Sequence, residues 1–99
     1  MNFKDQVDCY QAIGAVLASK APAGWREIEA AITLSDARVD AVVSCTTASG
    51  QREYLTGVPM LARHFYELAR LVSTEDKGLY KTCDFKLLAS GKYESNFAY

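Results

Sequence analysis

The chain has 99 residues, 49% hydrophobic and 23% charged, with eleven basic against twelve acidic side chains and a formal charge of -1. That is apolar material for one core, which excludes a disordered chain and removes any need for metal or disulfide staples. The charge balance, with Arg26, Arg38, Arg52, Arg63 and Arg70 scattered singly, argues against direct nucleic-acid binding, whose affinity comes from a basic excess.

The first element reads as a helix from about Lys4 to Ser19. Phe3, Val7, Tyr10, Ile13 and Leu17 recur at spacings of four, three, three and four, so they share one face. Asp5 and Asp8 stand near the N-terminal end, where the helix dipole favours acids. Gly14 costs about 1 kcal/mol relative to alanine inside a helix, which predicts compensation by close packing against a neighbour. Ala21-Pro22-Ala23-Gly24 is the turn that ends it.

Two strands follow. From Trp25 to Leu34, Ile28, Ala30, Ile32 and Leu34 alternate with Glu27, Glu29, Ala31 and Thr33, the period of a strand with one buried face. After Ser35-Asp36-Ala37, Val39, Ala41, Val43 and Cys45 alternate with Arg38, Asp40, Val42, Ser44 and Thr46. A hairpin joins the pair. Arg52 to Leu55 is a candidate third strand after the turn at Ala48-Ser49-Gly50-Gln51.

Pro59 suits the first turn of a second helix running to about Ser73, with Leu61, His64 or Phe65, Leu68, Leu71 and Val72 in one stripe. Glu67 and Arg70 are spaced to pair. A last hairpin sets Cys83, Phe85, Leu87 and Ala89, then Tyr93, Ser95, Phe97 and Tyr99, on one side of two strands joined at Ser90-Gly91-Lys92.

The order α-β-β-(β)-α-β-β predicts a single α+β domain over residues 1–99. Its antiparallel sheet of four or five strands carries both helices on one face. The other face is expected to present Glu27, Glu29, Arg38, Asp40, Asp84, Lys86 and Glu94.

Catalysis needs a nucleophile or metal, a base, and a group that holds developing charge. The one histidine, His64, reads as a packed residue at the edge of a helical stripe. Cys9, Cys45 and Cys83 each fall in an apolar pattern and begin no helix, so small buried thiols are expected. Their wide separation from one another and from His64 does not match zinc-ligand spacing. The glycines stand alone rather than in phosphate-binding loops, and Glu27/Glu29 and Glu75/Asp76 read as solvated pairs. The expectation is a protein that is not an enzyme and needs no cofactor or metal. With an odd cysteine count, no signal peptide at the start and no apolar run long enough to span a membrane, the cytoplasm is the expected compartment.

The stretch Tyr80-Lys81-Thr82-Cys83-Asp84-Phe85-Lys86-Leu87, followed by Ser90-Gly91-Lys92-Tyr93 and Asn96-Phe97-Ala98-Tyr99, resembles the tail of the YezG-like immunity proteins. That family shows a strand, a Gly-Lys-aromatic turn and a final strand ending aromatic-x-aromatic. Tyr10-Gln11-Ala12-Ile13 through Pro22-Ala23-Gly24-Trp25 is similar to the family's opening helix, proline turn and tryptophan. The resemblance touches both ends and the element order; Ser35 to Val58 carries no family-specific motif.

It implies an antitoxin that binds and neutralises a cognate toxin domain of a bacterial competition system, often a nuclease, by protein–protein interaction. Carboxylates on the exposed sheet face would meet the basic surface of such a toxin. The expected contacts are Glu27, Glu29, Asp36, Asp40, Asp84 and Glu94, with Tyr93 or Tyr99 as anchors. The alternatives are a homo-oligomeric or adaptor domain that pairs through the Tyr93–Tyr99 strand, and an enzyme using a cysteine thiolate.

Overall fold

Alternating strands with one apolar row each need neighbours that share the same buried face, and the sheet supplies them. A computed structural model describes residues 5–35, 38–58, 60–73 and 78–99. Its elements run α1 (Gln6–Lys20), β1 (Glu27–Ser35), β2 (Arg38–Thr46), β3 (Arg52–Leu55), α2 (Leu61–Val72), β4 (Thr82–Leu88) and β5 (Tyr93–Ala98). The five strands form one antiparallel sheet in the order β3-β2-β1-β4-β5. The expected α+β architecture is the one observed, and the candidate third strand is present.

β1 is the central strand. Its Ile28 faces Cys45 of β2 on one side and Leu87 of β4 on the other; its Ile32 faces Ala41 and Cys83. Because side chains alternate, the registers place Ile28, Ala30, Ile32, Val43, Cys45, Cys83, Phe85 and Leu87 on one face, all buried. Cys9, Tyr10, Ile13 and Leu17 of α1 and Leu61, Phe65, Leu68 and Ala69 of α2 close that face into one core. Each large side chain removed from water there contributes roughly 1.5–3 kcal/mol.

The caps are local chemistry. The Asp5 carboxylate accepts the Asp8 backbone N–H at 3.0 Å, satisfying one of the free donors at the α1 N-terminus. At the other end Ala21 is extended (φ -75°, ψ 147°), as the residue before Pro22 must be. α2 begins at Leu61, later than expected, after Met60 in the left-handed region at φ 63°. Pro59 lies outside the described residues. The expected Glu67–Arg70 pair forms, at 3.5 Å.

Three expectations about the covered face are corrected. Val7 is 52% exposed and Cys9 takes its place, because α1 is rotated to pack on α2 as well as on the sheet: the Cys9 thiol donates to the His64 carbonyl at 3.3 Å. A Cβ on Gly14 would meet only Leu87, at 3.8 Å, which is ordinary contact, so close packing does not require the glycine. Ala41 and Ala89 are exposed: Ala41 lies near the turn end of β2 and Ala89 lies beyond β4.

Aromatic rings tie the C-terminal strands to the helices. Phe85 meets Tyr10 at 5.9 Å, Phe65 edge-on at 5.8 Å and Tyr93 at 6.0 Å. Tyr80 stacks on Phe97 at 5.0 Å, and its hydroxyl donates to the Phe65 carbonyl at 2.6 Å, pinning the chain as it enters β4.

Candidate functional site

With both helices on one face, the opposite face of the sheet has no cover among the described residues. The registers lay out its side chains in rows. One row crosses all five strands as Tyr54, Ser44, Glu29, Lys86 and Glu94; the next reads Val42, Ala31, Asp84 and Asn96. Small residues in the middle and larger ones at the sides make a hollow of about 280 Å³, bounded by Glu29, Ala31, Asp84, Lys86, Glu94 and Asn96.

The carboxylates expected to serve as contacts divide into two kinds. Arg52 pairs with Glu29 while its Nε donates to the Ser44 hydroxyl at 3.2 Å. Lys86 Nζ lies 3.2 Å from Glu27 and 4.0 Å from Glu29. The hydrogen bond to Glu27 and the surrounding acids Glu27, Glu29 and Glu94 raise the Lys86 pKa. Asp40 pairs with Arg38 at 3.2 Å. Glu27, Glu29 and Asp40 are thus largely neutralised in place. Asp84 and Glu94 form no ion pair among the described residues, and they flank the hollow. Counted over the face, Glu27, Glu29, Asp40, Asp84 and Glu94 outnumber Arg38, Arg52 and Lys86 by five to three.

The two tyrosines do not join them. Tyr93 belongs to the covered face, packed on Tyr10 at 4.7 Å and 40% exposed. Tyr99 follows the end of β5, close enough to Tyr80 to help raise its pKa. Asp36 lies outside the described residues. Sequence reasoning missed the two large side chains that do stand on the open face, Val42 at 58% exposure and Tyr54 at 70%. Val42 was detectable as the one large apolar residue in the outward row of β2. Tyr54 was detectable by counting back one residue from inward Leu55.

The titratable groups of the interior favour their neutral forms. Burial, with a lesser effect from Glu67, pushes the Cys9 thiol up to about 11; burial and then Asp84 push Cys83 to about 12. Cys45 is raised by burial and then by Glu53. His64 is buried, and burial followed by Arg63 lowers its pKa. These settings oppose thiolate formation at neutral pH. Among the described residues, no group of three or more His, Cys, Asp or Glu is placed to hold a metal ion, and no helix is long and apolar enough to cross a membrane.

No family model and no curated protein matches this chain.

Proposed function

We propose that the chain is an immunity protein that binds and neutralises a toxin domain through the open face of its sheet. The observation that carries the proposal is the contrast within that face: Val42 and Tyr54 stand exposed on one side of β1, and on its other side stand Asp84 and Glu94, which form no ion pair among the described residues. A large ring at one side of a rigid sheet face and carboxylates outside any ion pair at the other are the composition of a contact surface, in which the ring carries binding energy and the charges select the partner. The similarity at Gly91-Lys92-Tyr93 and Phe97-Ala98-Tyr99 to the YezG-like family supplies the toxin class. The acid excess of the face suits a basic toxin surface such as that of a nuclease.

The contact set is revised accordingly. Asp84, Glu94, Tyr54 and Val42 are proposed as the contacts. Glu27, Glu29 and Asp40 are proposed to hold Lys86, Arg52 and Arg38 in place.

Co-expression with a toxin domain encoded beside this chain tests the proposal. Growth rescue and a stable complex are expected, both lost in the double variant Asp84→Lys/Glu94→Lys with its melting curve unchanged. A folded double variant that still rescues and binds normally removes the open face as the interface. A folded wild-type chain that neither rescues nor binds removes the assignment for that toxin.

A further inference from the structure

We infer that the outer edge of β5, which pairs with no further strand among the described residues, is a self-association surface: two copies of this chain pair their β5 strands antiparallel about a twofold axis at Ser95, joining two sheets into one. The inference is separate from toxin binding, because it uses the edge of the sheet and leaves the open face uncovered.

β5 is an outer strand. The Leu88 N–H donates to the Lys92 carbonyl at 2.8 Å and the Lys81 N–H to the Ala98 carbonyl at 2.7 Å, so the even-numbered positions turn their backbone groups toward β4. In an antiparallel ladder the N–H and C=O groups of Tyr93, Ser95 and Phe97 then point outward. Edges of this kind are normally blunted by lysine, proline, a bulge or short length. The opposite edge strand, β3, is four residues long and carries Arg52 and Glu53. β5 has six residues and neither lysine nor proline.

The side chains of β5 are self-complementary in one register. With Ser95 opposite Ser95, hydrogen-bonding positions meet one another. Tyr93 of each copy then faces Phe97 of the other on the covered side, and Glu94 faces Asn96 on the open side. Every contact is made twice. A two-residue slip one way sets Glu94 against Glu94; a slip the other way sets Asn96 against Asn96 and exchanges both Tyr93–Phe97 pairs for Tyr93–Tyr99 pairs beyond the end of β5. Only the first register keeps both aromatic pairs within the two strands, and like charges oppose the second.

The strand is also held ready. Tyr93 is fixed on Tyr10, Phe97 on Tyr80, and the Ser95 and Tyr10 hydroxyls share a hydrogen bond at 2.6 Å, so little ordering is needed on association. An interface this narrow gives a reversible dimer, and the short, charged β3 edge stops further growth at two copies.

Sedimentation equilibrium of the wild type, Asn96→Lys and Asn96→Glu tests the register as well as the dimer. Asn96 is exposed, and a melting curve for each variant checks that the fold is kept. Asn96→Lys places a cation opposite Glu94 twice and should tighten dimerisation roughly fivefold to tenfold, while Asn96→Glu should weaken it by a similar factor. In wild type, amide exchange at Tyr93, Ser95 and Phe97 should slow as concentration rises. A chain that stays monomeric at its highest soluble concentration overturns the inference. So does a dimer that both substitutions affect in the same direction, that neither affects, or that leaves those three amides unprotected.

Discussion

On the covered face of the sheet, Ile28, Ile32, Cys83 and Phe85 are at most 1% exposed. One residue along the same strands, Ala31, Thr33 and Asp84 stand in solvent. The covered face joins two helices and four aromatic rings into a core. The open face consists of exposed ion pairs, small side chains and two large residues without cover. Stability is concentrated on the first, so side chains on the second are free to be set by a partner. That separation follows from the period of two, which lets one strand serve both purposes without compromise.

The sharpest way to break the comparison is to remove the ring that meets α1, α2 and β5 together. Phe85→Ala should cost about 3–5 kcal/mol in urea unfolding, through lost burial and the cavity left behind. A loss under about 1 kcal/mol would mean that the core does not centre there. Tyr80→Phe deletes only the buried hydroxyl donated to Phe65 and should cost about 1 kcal/mol, the loss of one hydrogen bond to a carbonyl that keeps its helical partner.

The covered face also carries the pH response. An unfolded thiol with pKa 9.0 ionises before Cys9 or Cys83 does in the fold, so the unfolded state binds fewer protons above that pH. Stability should therefore be full below pH 9.0 and fall as pH rises toward about 11 and 12. His64 acts at the other end: its lowered pKa means that the unfolded state binds more protons as pH falls through 6.5, so stability declines on acidification from that point. Thermal melts from acid to alkali should trace both flanks, and Cys83→Ala should reduce the alkaline one.

Gly14→Ala reverses the sign of effect expected for a change at the core boundary. The new methyl meets Leu87 at an ordinary 3.8 Å and the helix gains propensity, so a gain of up to about 1 kcal/mol is expected in the same urea assay. Destabilisation there would show that α1 sits closer to β4 than its backbone indicates. The smallest effect belongs to the open face. Arg52 and Glu29 are 59% and 41% exposed in their pair, so Arg52→Ala should shift stability by no more than about 0.5 kcal/mol.

Much of the fold was legible because periodicity is local. The alternation at Ile28, Ala30 and Ile32 is enough to assign both the strand and its buried side. The short separations in sequence between Ser35 and Arg38 and between Leu88 and Tyr93 leave little choice but hairpins. Periodicity was less decisive on α1, where a few degrees of rotation exchange Val7 for Cys9; that choice depends on α2, which joins the chain some forty residues later. Tyr93 shows the same limit at the candidate site. Its parity assigns it to the covered row with Phe97, yet grouping residues by chemistry had placed it with the carboxylates.

The amino-acid sequence by itself determined which side chains share a face, since alternation is a property of each strand alone. Strand order is not, because pairing joins segments far apart in the chain. Only the tertiary structure set β1 between β2 and β4, and with it the choice of which acids are neutralised. Lys86 and Arg52 reach Glu27 and Glu29 across strands that the sequence separates by more than twenty residues. The same order leaves Asp84 and Glu94 outside any ion pair among the described residues and places β5, with its outward-facing backbone groups, at the edge of the sheet.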